Sequence, residues 1–479
     1  MAMNKAIACM MNGFLIVPDR LSRAADPILH TELPVAIFCH GEVPLYDIYQ
    51  FCKRSASYSC QRDPGSPRME NRSDRSNAMN DQEPISVARA RAQVRQLVAP
   101  LGTEDIPLLN ANGRVLSATI RSGMELPPFT RAAMDGYALG AGPDRAGTRF
   151  EVVGHVAAGD PMPPPLAAGQ AVRILTGAPV PAETMAIVQQ EWATRLADHV
   201  VLERDVNEGM HIRLKGETLP KGASAIEART ILSPAALGFL SMLGITEVPV
   251  HRRPRVSVLV TGSELIAPGS PLRDGQVYES NSAMLASALA RDGAETKMAL
   301  VDDDPDRIQT AIANALSNCD MLLISGGNSV GDHDHVHAAL HALKVTEVFH
   351  HVAQKPGKPL YFGSYGRKPV FALPGNPAAS LVCYRMYVLD ALRRMQGVAG
   401  RTDESLALPL ANCSVKGVEH AQFLFGRVRN GRVSILGEQG SSMLQAAAHA
   451  NVLVHIPARD SGRGPGDIVR TYRLWTMLQ

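Results

Sequence analysis

The sequence has no apolar run of membrane-spanning length, no CxxC pair among its seven cysteines and no dense block of basic residues. Because a transmembrane helix needs roughly 20 consecutive apolar residues, we expect no membrane segment. Scattered cysteines support neither a zinc ribbon nor a disulfide framework, and they favour a reduced, cytoplasmic setting. A net charge of only +2 gives no reason to expect nucleic acid as a partner.

The composition is that of a globular protein, with 45% apolar and 20% charged residues. A chain of 479 residues is long for a single core and suggests several domains. The predicted domains are an extension over residues 1–83, a linker and helical domain over 84–125 and 223–252, a small β domain over 126–222, an α/β domain over 253–400 and a C-terminal β domain over 401–479.

The first 83 residues differ from the rest of the chain. Residues 60–80 are polar and rich in Arg, Asp, Ser and Asn, a composition typical of a linker or a disordered tail. Met69 and Met79 both precede the first convincing helix, for which Ser86 is the predicted N-cap. We therefore expect the extension to be disordered or to lie outside the natural product.

Residues 255–395 alternate short apolar strands with helices, a pattern that predicts a doubly wound, mostly parallel sheet. Strand-rich segments lie on both sides of this region, and Asn430-Gly431 is a strong hairpin signal. The predicted fold class is thus α/β plus β. A strand-rich pair of N-terminal domains precedes the central sheet, and a small barrel-like β domain follows it.

Four loops follow strands of the predicted α/β domain, at residues 261–265, 301–306, 325–335 and 373–377. Two are rich in glycine, and a glycine-rich loop that leads into a helix suits phosphate. Two carry carboxylates, which suit a divalent cation that bridges phosphate oxygens. The sequence therefore indicates metal-dependent chemistry on a phosphate ester or anhydride. The competing interpretation is that the Asp-rich loops only cap helices.

Other motifs allow two interpretations each. Lys355 and Lys358 on a Pro-Gly loop suit a multiply charged anion, or form a solvated turn. Four histidines suggest zinc, or face solvent at a loop and helix start; they are His333, His335, His337 and His341.

Taken in order, these motifs resemble the molybdopterin molybdenumtransferase family, which is related to the C-terminal domain of gephyrin. The matching stretches run from Pro127 to Pro377 and read PPFTRAAMDGYA, RILTGAPVP, RLKGE, VLVTGSEL, DGQVYESNS, DDDP, ISGGNSVGDHD, KPGKP and LPGNP. The resemblance implies a Mg²⁺-assisted enzyme of molybdenum cofactor biosynthesis. Such an enzyme inserts molybdenum from molybdate into adenylylated molybdopterin and releases AMP. It also implies a homodimer, and contact with the upstream adenylyltransferase.

Matched motif by motif, the resemblance assigns roles to residues of this chain. Catalytic and metal-binding roles fall to Glu264, Asp303 and Asp334, and further catalytic roles to Asp135 and Thr176 of the partner subunit. The implied substrate-binding residues are Ser325, Gly326, Gly327, Lys355, Lys358, Pro374, Gly375, Asn376, Pro377 and Ser441.

Two departures from the family pattern bear on activity. Thr218 follows Glu217 where the family has an acid, and the run from His420 to Phe423 lacks the family's arginine and acid. These changes leave open a molybdopterin-binding paralogue or scaffold with weak or no transferase activity. A different phosphate-bond hydrolase built on the same α/β domain is a third interpretation.

Overall fold

The computed structural model describes residues 83–327, 335–399, 405–437 and 439–474. They form a multidomain chain that combines mixed sheets with flanking helices, as the sequence predicts. The predicted extension over 1–83 lies outside the described residues except for Glu83. No helix within the described ranges is long and apolar enough to cross a membrane.

The first described segment contains helix α1 (Val87–Leu97) and strands β1 (Thr103–Pro107) and β2 (Ile120–Arg121). The hydroxyl of Ser86 accepts from Arg89 N–H at 3.3 Å, so the predicted N-cap is confirmed. The predicted domain division places helix α1 in the linker and helical domain, and the structure differs at this point. The apolar face of α1 packs into the core of the α/β domain, and Arg91 contacts Asp390 of that domain at 2.9 Å.

The small β domain follows. Its strands are β3 (Arg131–Ala132), β4 (Gly136–Leu139), β5 (Arg149–Val156), β6 (Gln170–Ile174), β7 (Ala186–Gln189), β8 (Ala193–Leu196), β9 (His199–Leu202) and β10 (Ile212–Arg213). Six of them form one sheet in the order β7-β4-β6-β5-β9-β8, and β10 pairs with β3. Buried side chains form two separate apolar clusters, one containing Ile174 and the other Phe150.

The chain then returns to the domain that it left. Strands β11 (Ser224–Ile226) and β12 (Glu247–His251) flank helix α2 (Pro234–Met242), which Ser233 caps as predicted. β11 pairs antiparallel with β2, and β12 pairs antiparallel with β1. Where the chain leaves and re-enters, Ser122 N–H donates to Ala223 O at 2.9 Å. The small β domain is therefore an insertion whose two connections lie side by side.

The α/β domain comprises β13 (Arg255–Thr261), β14 (Leu265–Ile266), β15 (Val277–Tyr278), α3 (Asn281–Arg291), β16 (Glu295–Val301), α4 (Pro305–Asn318), β17 (Met321–Ser325), α5 (His335–Ala342), β18 (Thr346–His350), β19 (Gln354–Lys355), β20 (Tyr361–Tyr365), β21 (Lys368–Leu373), α6 (Pro377–Cys383) and α7 (Leu389–Met395). Its main sheet has the order β16-β13-β17-β21-β20-β18. The first four strands are parallel, and β20 and β18 are antiparallel to their neighbours. Helices α3, α6 and α7 pack in one apolar cluster, whereas α4 and α5 pack in another.

The sequence predicts one long helix over residues 376–395, but its middle differs. Tyr384–Val388 is a π-helical turn between α6 and α7. Both tyrosines of this turn are buried and hydrogen-bonded, Tyr384 OH to Asp292 Oδ2 at 2.7 Å and Tyr387 OH to Gln354 Oε1. A single wide turn admits one more residue than an α turn, which lets both rings reach these partners.

The C-terminal domain contains β22 (Ser405–Pro409), β23 (Ala421–Arg429), β24 (Arg432–Ile435), α8 (Leu444–His449), β25 (Val452–Ile456) and β26 (Ile468–Arg473). The sheet order is β19-β23-β25-β26-β22, and β24 pairs with β23. Leu410, just after β22, bridges to Val433 of β24, so the last strand of this order is connected to the strand that lies outside it. Asn430 and Gly431 have φ of 48° and 71°, as a tight hairpin requires, so the predicted hairpin is confirmed.

Candidate functional site

A cavity of about 690 Å³ opens at the carboxyl ends of the parallel strands β13, β17 and β21. Its wall also includes the segment that leads into α3 and the start of α6. Loops from adjacent parallel strands emerge at the same edge of a sheet, which is where open α/β sheets bind ligands. The fold thus brings together residues that are up to 182 positions apart in the chain, from Val260 to Ser442.

Most of the residues predicted for the α/β site lie in this wall. They are Glu264, Asp303, Ser325, Gly326, Gly327, Pro374, Gly375, Asn376 and Pro377. Asp334, the remaining predicted carboxylate, lies outside the described residues, as does His333.

Two glycines allow the backbone to pack tightly at the end of β17. Gly326 has φ +98°, and a Cβ there would lie 2.1 Å from the backbone oxygen of Thr261. Gly327 has φ +62°, and its Cβ would lie 2.7 Å from Val336 Cγ2. Both positions therefore require glycine for backbone conformation and for space. The backbone of β17 consequently forms part of the cavity wall.

Asn281 organises the cavity, although sequence reasoning did not single it out. It is 5% exposed, and its Nδ2 donates to Ser325 Oγ and to Gly375 O, each at 2.8 Å. Within the described residues, Asn281 Oδ1 has no hydrogen-bond partner, and neither has the buried hydroxyl of Thr261. Because buried polar atoms are nearly always satisfied, these two oxygens keep hydrogen-bonding capacity that a bound group could use. The sequence signals were the position of Asn281 at a helix start and its place in the stretch DGQVYESNS, which resembles the family.

The cavity wall is acidic. Among its described residues it contains Glu264, Glu279 and Asp303, and no Lys or Arg. Glu279 accepts from Ser282 N–H at 2.8 Å, which fixes its position at the start of α3. An anionic ligand in such a cavity requires a cation between it and the carboxylates.

The oxygens of the wall fit a hard cation such as Mg²⁺. Carboxylates and amide oxygens are the ligands that this ion takes, and Glu264, Asp303 and the unpartnered Asn281 Oδ1 all belong to the wall. Among the described residues, neither Glu264 nor Asp303 belongs to a tight group of three His, Cys, Asp or Glu side chains.

The two predicted lysines do not line the cavity. Lys355 and Lys358 are exposed on a loop that contributes only Pro359 to the wall. Gln354 is buried beneath this loop, and its Nε2 donates to Pro356 O at 3.0 Å and to Gly357 O at 3.3 Å. Sequence reasoning missed Gln354, because its partners become apparent only when the loop is folded.

Ser441 connects the C-terminal domain to the α/β domain. Its Oγ accepts from Asn376 Nδ2, and its backbone oxygen accepts from Ala379 N–H, both at 3.2 Å. Ser442, its neighbour, lines the cavity. At the N-terminus of α6, Ser441 therefore accepts from one backbone amide, and Pro377 has none to offer.

Asp135 and Thr176 belong to the small β domain and are absent from the described cavity wall of their own chain. Thr176 donates to Asp135 Oδ1 through both its backbone N–H, at 2.7 Å, and its hydroxyl, at 2.6 Å. These hydrogen bonds lower the pKa of Asp135 below its ordinary value. The pair is exposed, and the carboxylate is held in one orientation.

Hydrogen bonds hold the segments around Thr218 and His420, where the chain departs from the family pattern. The carboxylate of Glu217 accepts from Leu214 N–H at 2.9 Å, and this hydrogen bond closes the turn that precedes Thr218. Ala421 N–H donates to Ala353 O at 3.0 Å, and β23 pairs with β19. The run from His420 to Phe423 therefore begins beside the lysine loop.

Three family models match consecutive parts of the chain. The MoeA N-terminal region (domain I and II) matches residues 85–244, a probable molybdopterin-binding domain matches residues 257–394, and the MoeA C-terminal region (domain IV) matches residues 413–474. The second model covers every strand of the main α/β sheet except the first residues of β13.

Curated relatives and solved structures agree with these models. Molybdopterin molybdenumtransferase 2 of Mycobacterium tuberculosis is 33% identical over 385 residues, which is 78% of this chain and 95% of the relative. The molybdopterin molybdenumtransferase of Nostoc sp. is 34% identical over 316 residues, which is 64% of this chain and 72% of the relative. A molybdopterin biosynthesis MoeA protein from Pyrococcus horikosii superposes with a TM-score of 0.72 at 28% identity, over 82% of this chain and 100% of that structure.

Proposed function

Since this chain belongs to the molybdopterin molybdenumtransferase family, we propose that it inserts molybdenum from molybdate into adenylylated molybdopterin and releases AMP. One observation carries the proposal for this molecule. Apart from Ser442, the acidic, glycine-rich cavity wall belongs to the segment that matches the molybdopterin-binding model, and two of its residues have buried, unpartnered oxygens.

The backbone at the ends of β17 and β21 holds the substrate. Gly326, Gly327 and Gly375 let these strand ends pack closely against neighbouring protein atoms, and the tightly packed main chain then lines the space for the pterin and its phosphate. Asn281 fixes this arrangement, because its Nδ2 holds Ser325 and Gly375 together. Its Oδ1 and the Thr261 hydroxyl are buried without a hydrogen-bond partner among the described residues, in residues that line the cavity.

Glu264 and Asp303, together with Asp334, would hold Mg²⁺. A bound Mg²⁺ neutralises charge on the phosphoanhydride and lowers the barrier to breaking it. With the cation bound, these carboxylates would orient the substrate phosphate. Without the cation they would repel the phosphate, because the described wall has no basic residue.

Basic and partner-derived groups complete the proposed site. Lys355 and Lys358 attract molybdate or phosphate from their exposed loop, which Gln354 keeps in shape. In a homodimer, Asp135 and Thr176 of one subunit approach the cavity of the other. Their mutual hydrogen bonds present an ionised carboxylate there. The proposal includes contact with the upstream adenylyltransferase, which would supply the adenylylated substrate.

The test supplies purified protein with adenylylated molybdopterin, molybdate and Mg²⁺ and follows AMP by chromatography. We expect AMP release that requires all three components and exceeds a protein-free control. Substrate binding without AMP release would instead support the molybdopterin-binding scaffold. That outcome would connect Thr218 and the missing arginine near His420 to the loss of turnover.

A further inference from the structure

A second group of side chains with metal-ligand chemistry lies away from the cavity. His337, Glu347 and His350 each offer a ligand atom, and these atoms lie within 4.8 Å of one another. His337 Nε2 is 2.8 Å from Glu347 Oε2, and the rings of His337 and His350 stack at 5.3 Å between centroids. None of these residues lines the cavity.

A β-bulge brings this group together. In a regular strand, residues 347 and 350 would point to opposite faces of the sheet, because side chains alternate. β18 pairs Glu347 with Gly363 but Phe349 with Phe362, so the strand contains one extra residue at this point. Phe349 then packs in the apolar cluster that contains α3, α6 and α7, on one face of the sheet. On the opposite face, Glu347 and His350 both lie close to His337 of α5. Bulges of this kind re-aim side chains.

Aromatic rings contact the two histidines of this group. Tyr361 is 2% exposed and meets the rings of His337 and His350 edge-on, at 5.7 and 5.9 Å. The ring of His351 stacks on that of His350 at 4.0 Å between centroids. The side chains of His337 and Glu347 are 42% and 39% exposed, which leaves the group open to solvent on one side.

We propose that His337, Glu347 and His350 bind one borderline divalent metal ion of the Zn²⁺ class, with solvent in the remaining position. Two imidazoles and one carboxylate are a donor set that zinc accepts readily and magnesium does not. The bound ion joins α5 to the edge strand β18 and thereby stabilises that end of the sheet. This site is independent of the oxygen-lined cavity and of the proposed transferase activity.

The experiment uses the untagged full chain, stripped of metal with a chelator and titrated with Zn²⁺ against a chromogenic competitor. We expect one tight equivalent per chain and a higher midpoint of thermal unfolding when it is bound. His350→Ala, His337→Ala and Glu347→Gln should each weaken this binding at least roughly tenfold. Co²⁺ bound in place of Zn²⁺ should give the visible absorption typical of a cobalt ion with a low coordination number. His350→Ala should abolish this absorption.

Two variants serve as controls. His341→Ala removes an exposed histidine from the same helix and should leave Zn²⁺ affinity unchanged. Asp303→Asn alters the cavity and should leave it unchanged as well. The proposal is overturned if His350→Ala or Glu347→Gln binds Zn²⁺ as the parent does while circular dichroism shows both folded. It is also overturned if the parent binds no Zn²⁺ ion more tightly than the His350→Ala, His337→Ala and Glu347→Gln variants do.

Discussion

The side-chain amide of Asn281 donates to the hydroxyl of Ser325 at 2.8 Å, so the first residue of α3 is joined to the last residue of β17. The same nitrogen also donates to Gly375 O after β21. One buried side chain therefore fixes the relative positions of three segments that line the cavity.

Asn281→Ala should disturb both stability and activity. Loss of the amide leaves the Ser325 hydroxyl and the Gly375 carbonyl without their donor, at a cost of about 1–3 kcal/mol in the free energy of unfolding. We expect AMP release to fall as well, because the wall loses its alignment. Urea unfolding and the AMP assay measure the two effects. Asn314→Ala, at an exposed position of α4, is the control and should behave as the parent does. Equal behaviour of the two variants would contradict the role of Asn281.

Gly326→Ala should destabilise the protein more than Gly366→Ala. Both glycines have positive φ, +98° and +60°, which costs an alanine about 1–2 kcal/mol at either site. Only the Cβ at 326 also meets a backbone oxygen, at 2.1 Å, whereas that at 366 has nothing within 4 Å. The clash should add roughly 1–3 kcal/mol. The difference between the unfolding midpoints of the two variants measures the destabilisation that the clash causes. Equal midpoints would refute the close packing at the end of β17.

Asp320 should make stability depend on acid pH. Hydrogen bonds from Arg252 and Arg255, against the opposing effect of burial, lower the pKa of this carboxyl to about 2. A depressed pKa in the folded state contributes stability above the unfolded pKa of 3.8, and this contribution is lost as pH falls from about 5 to about 2. At pH 7 the contribution is about 2 kcal/mol.

Asp320→Asn should therefore remove about 2 kcal/mol at pH 7 and flatten the decline between pH 5 and 2. Denaturant titrations at several pH values measure both. Glu419→Gln disrupts an exposed pair with Arg459, at 3.8 Å, and should change stability by less than about 0.5 kcal/mol. An unaltered pH profile in Asp320→Asn would show that other carboxyls cause the decline.

Asp303→Asn should raise the Mg²⁺ concentration needed for AMP release and lower its maximal rate. The substitution keeps the shape of the side chain but removes a charge from the cavity wall. Asp302→Asn provides the matched control, since the adjacent Asp302 is exposed and pairs with Arg307 outside the wall. AMP release is measured across a Mg²⁺ titration. Identical Mg²⁺ curves for the two variants would remove Asp303 from the metal site.

Asp334→Asn tests the remaining carboxylate of the proposed metal set. We expect it nearly to abolish AMP release while circular dichroism and the unfolding midpoint stay close to those of the parent. The physical reason is the loss of one of three negative charges around the proposed Mg²⁺. Unchanged release would refute the role assigned to Asp334.

Local signals predicted much of the fold and of the cavity wall. Ser86, Ser233 and the Asn430-Gly431 pair act through neighbours a few residues away, so the sequence contains their effect directly. The predicted wall residues were also recoverable, because parallel strands end at one edge of the sheet.

Features that depend on distant contacts could not be predicted. Arg91 and Asp390 are 299 residues apart, and their hydrogen bond places α1 on the α/β domain rather than with the segment that follows it. Asn281 and Gln354 look like ordinary polar residues until their partners are assembled around them. The bulge in β18 is equally invisible in the sequence, since it appears only in the pairing with β20.

The insertion of the small β domain through two adjacent connections has a modular consequence. Ser122 and Ala223 already share a hydrogen bond of 2.9 Å, so a short turn could replace everything between them without separating β2 from β11. Excision there would leave the cavity wall of the α/β domain covalently untouched while removing Asp135 and Thr176. In genetic terms, one contiguous gene segment encodes the domain that would reach a partner's cavity, so a single event could add, remove or exchange that domain.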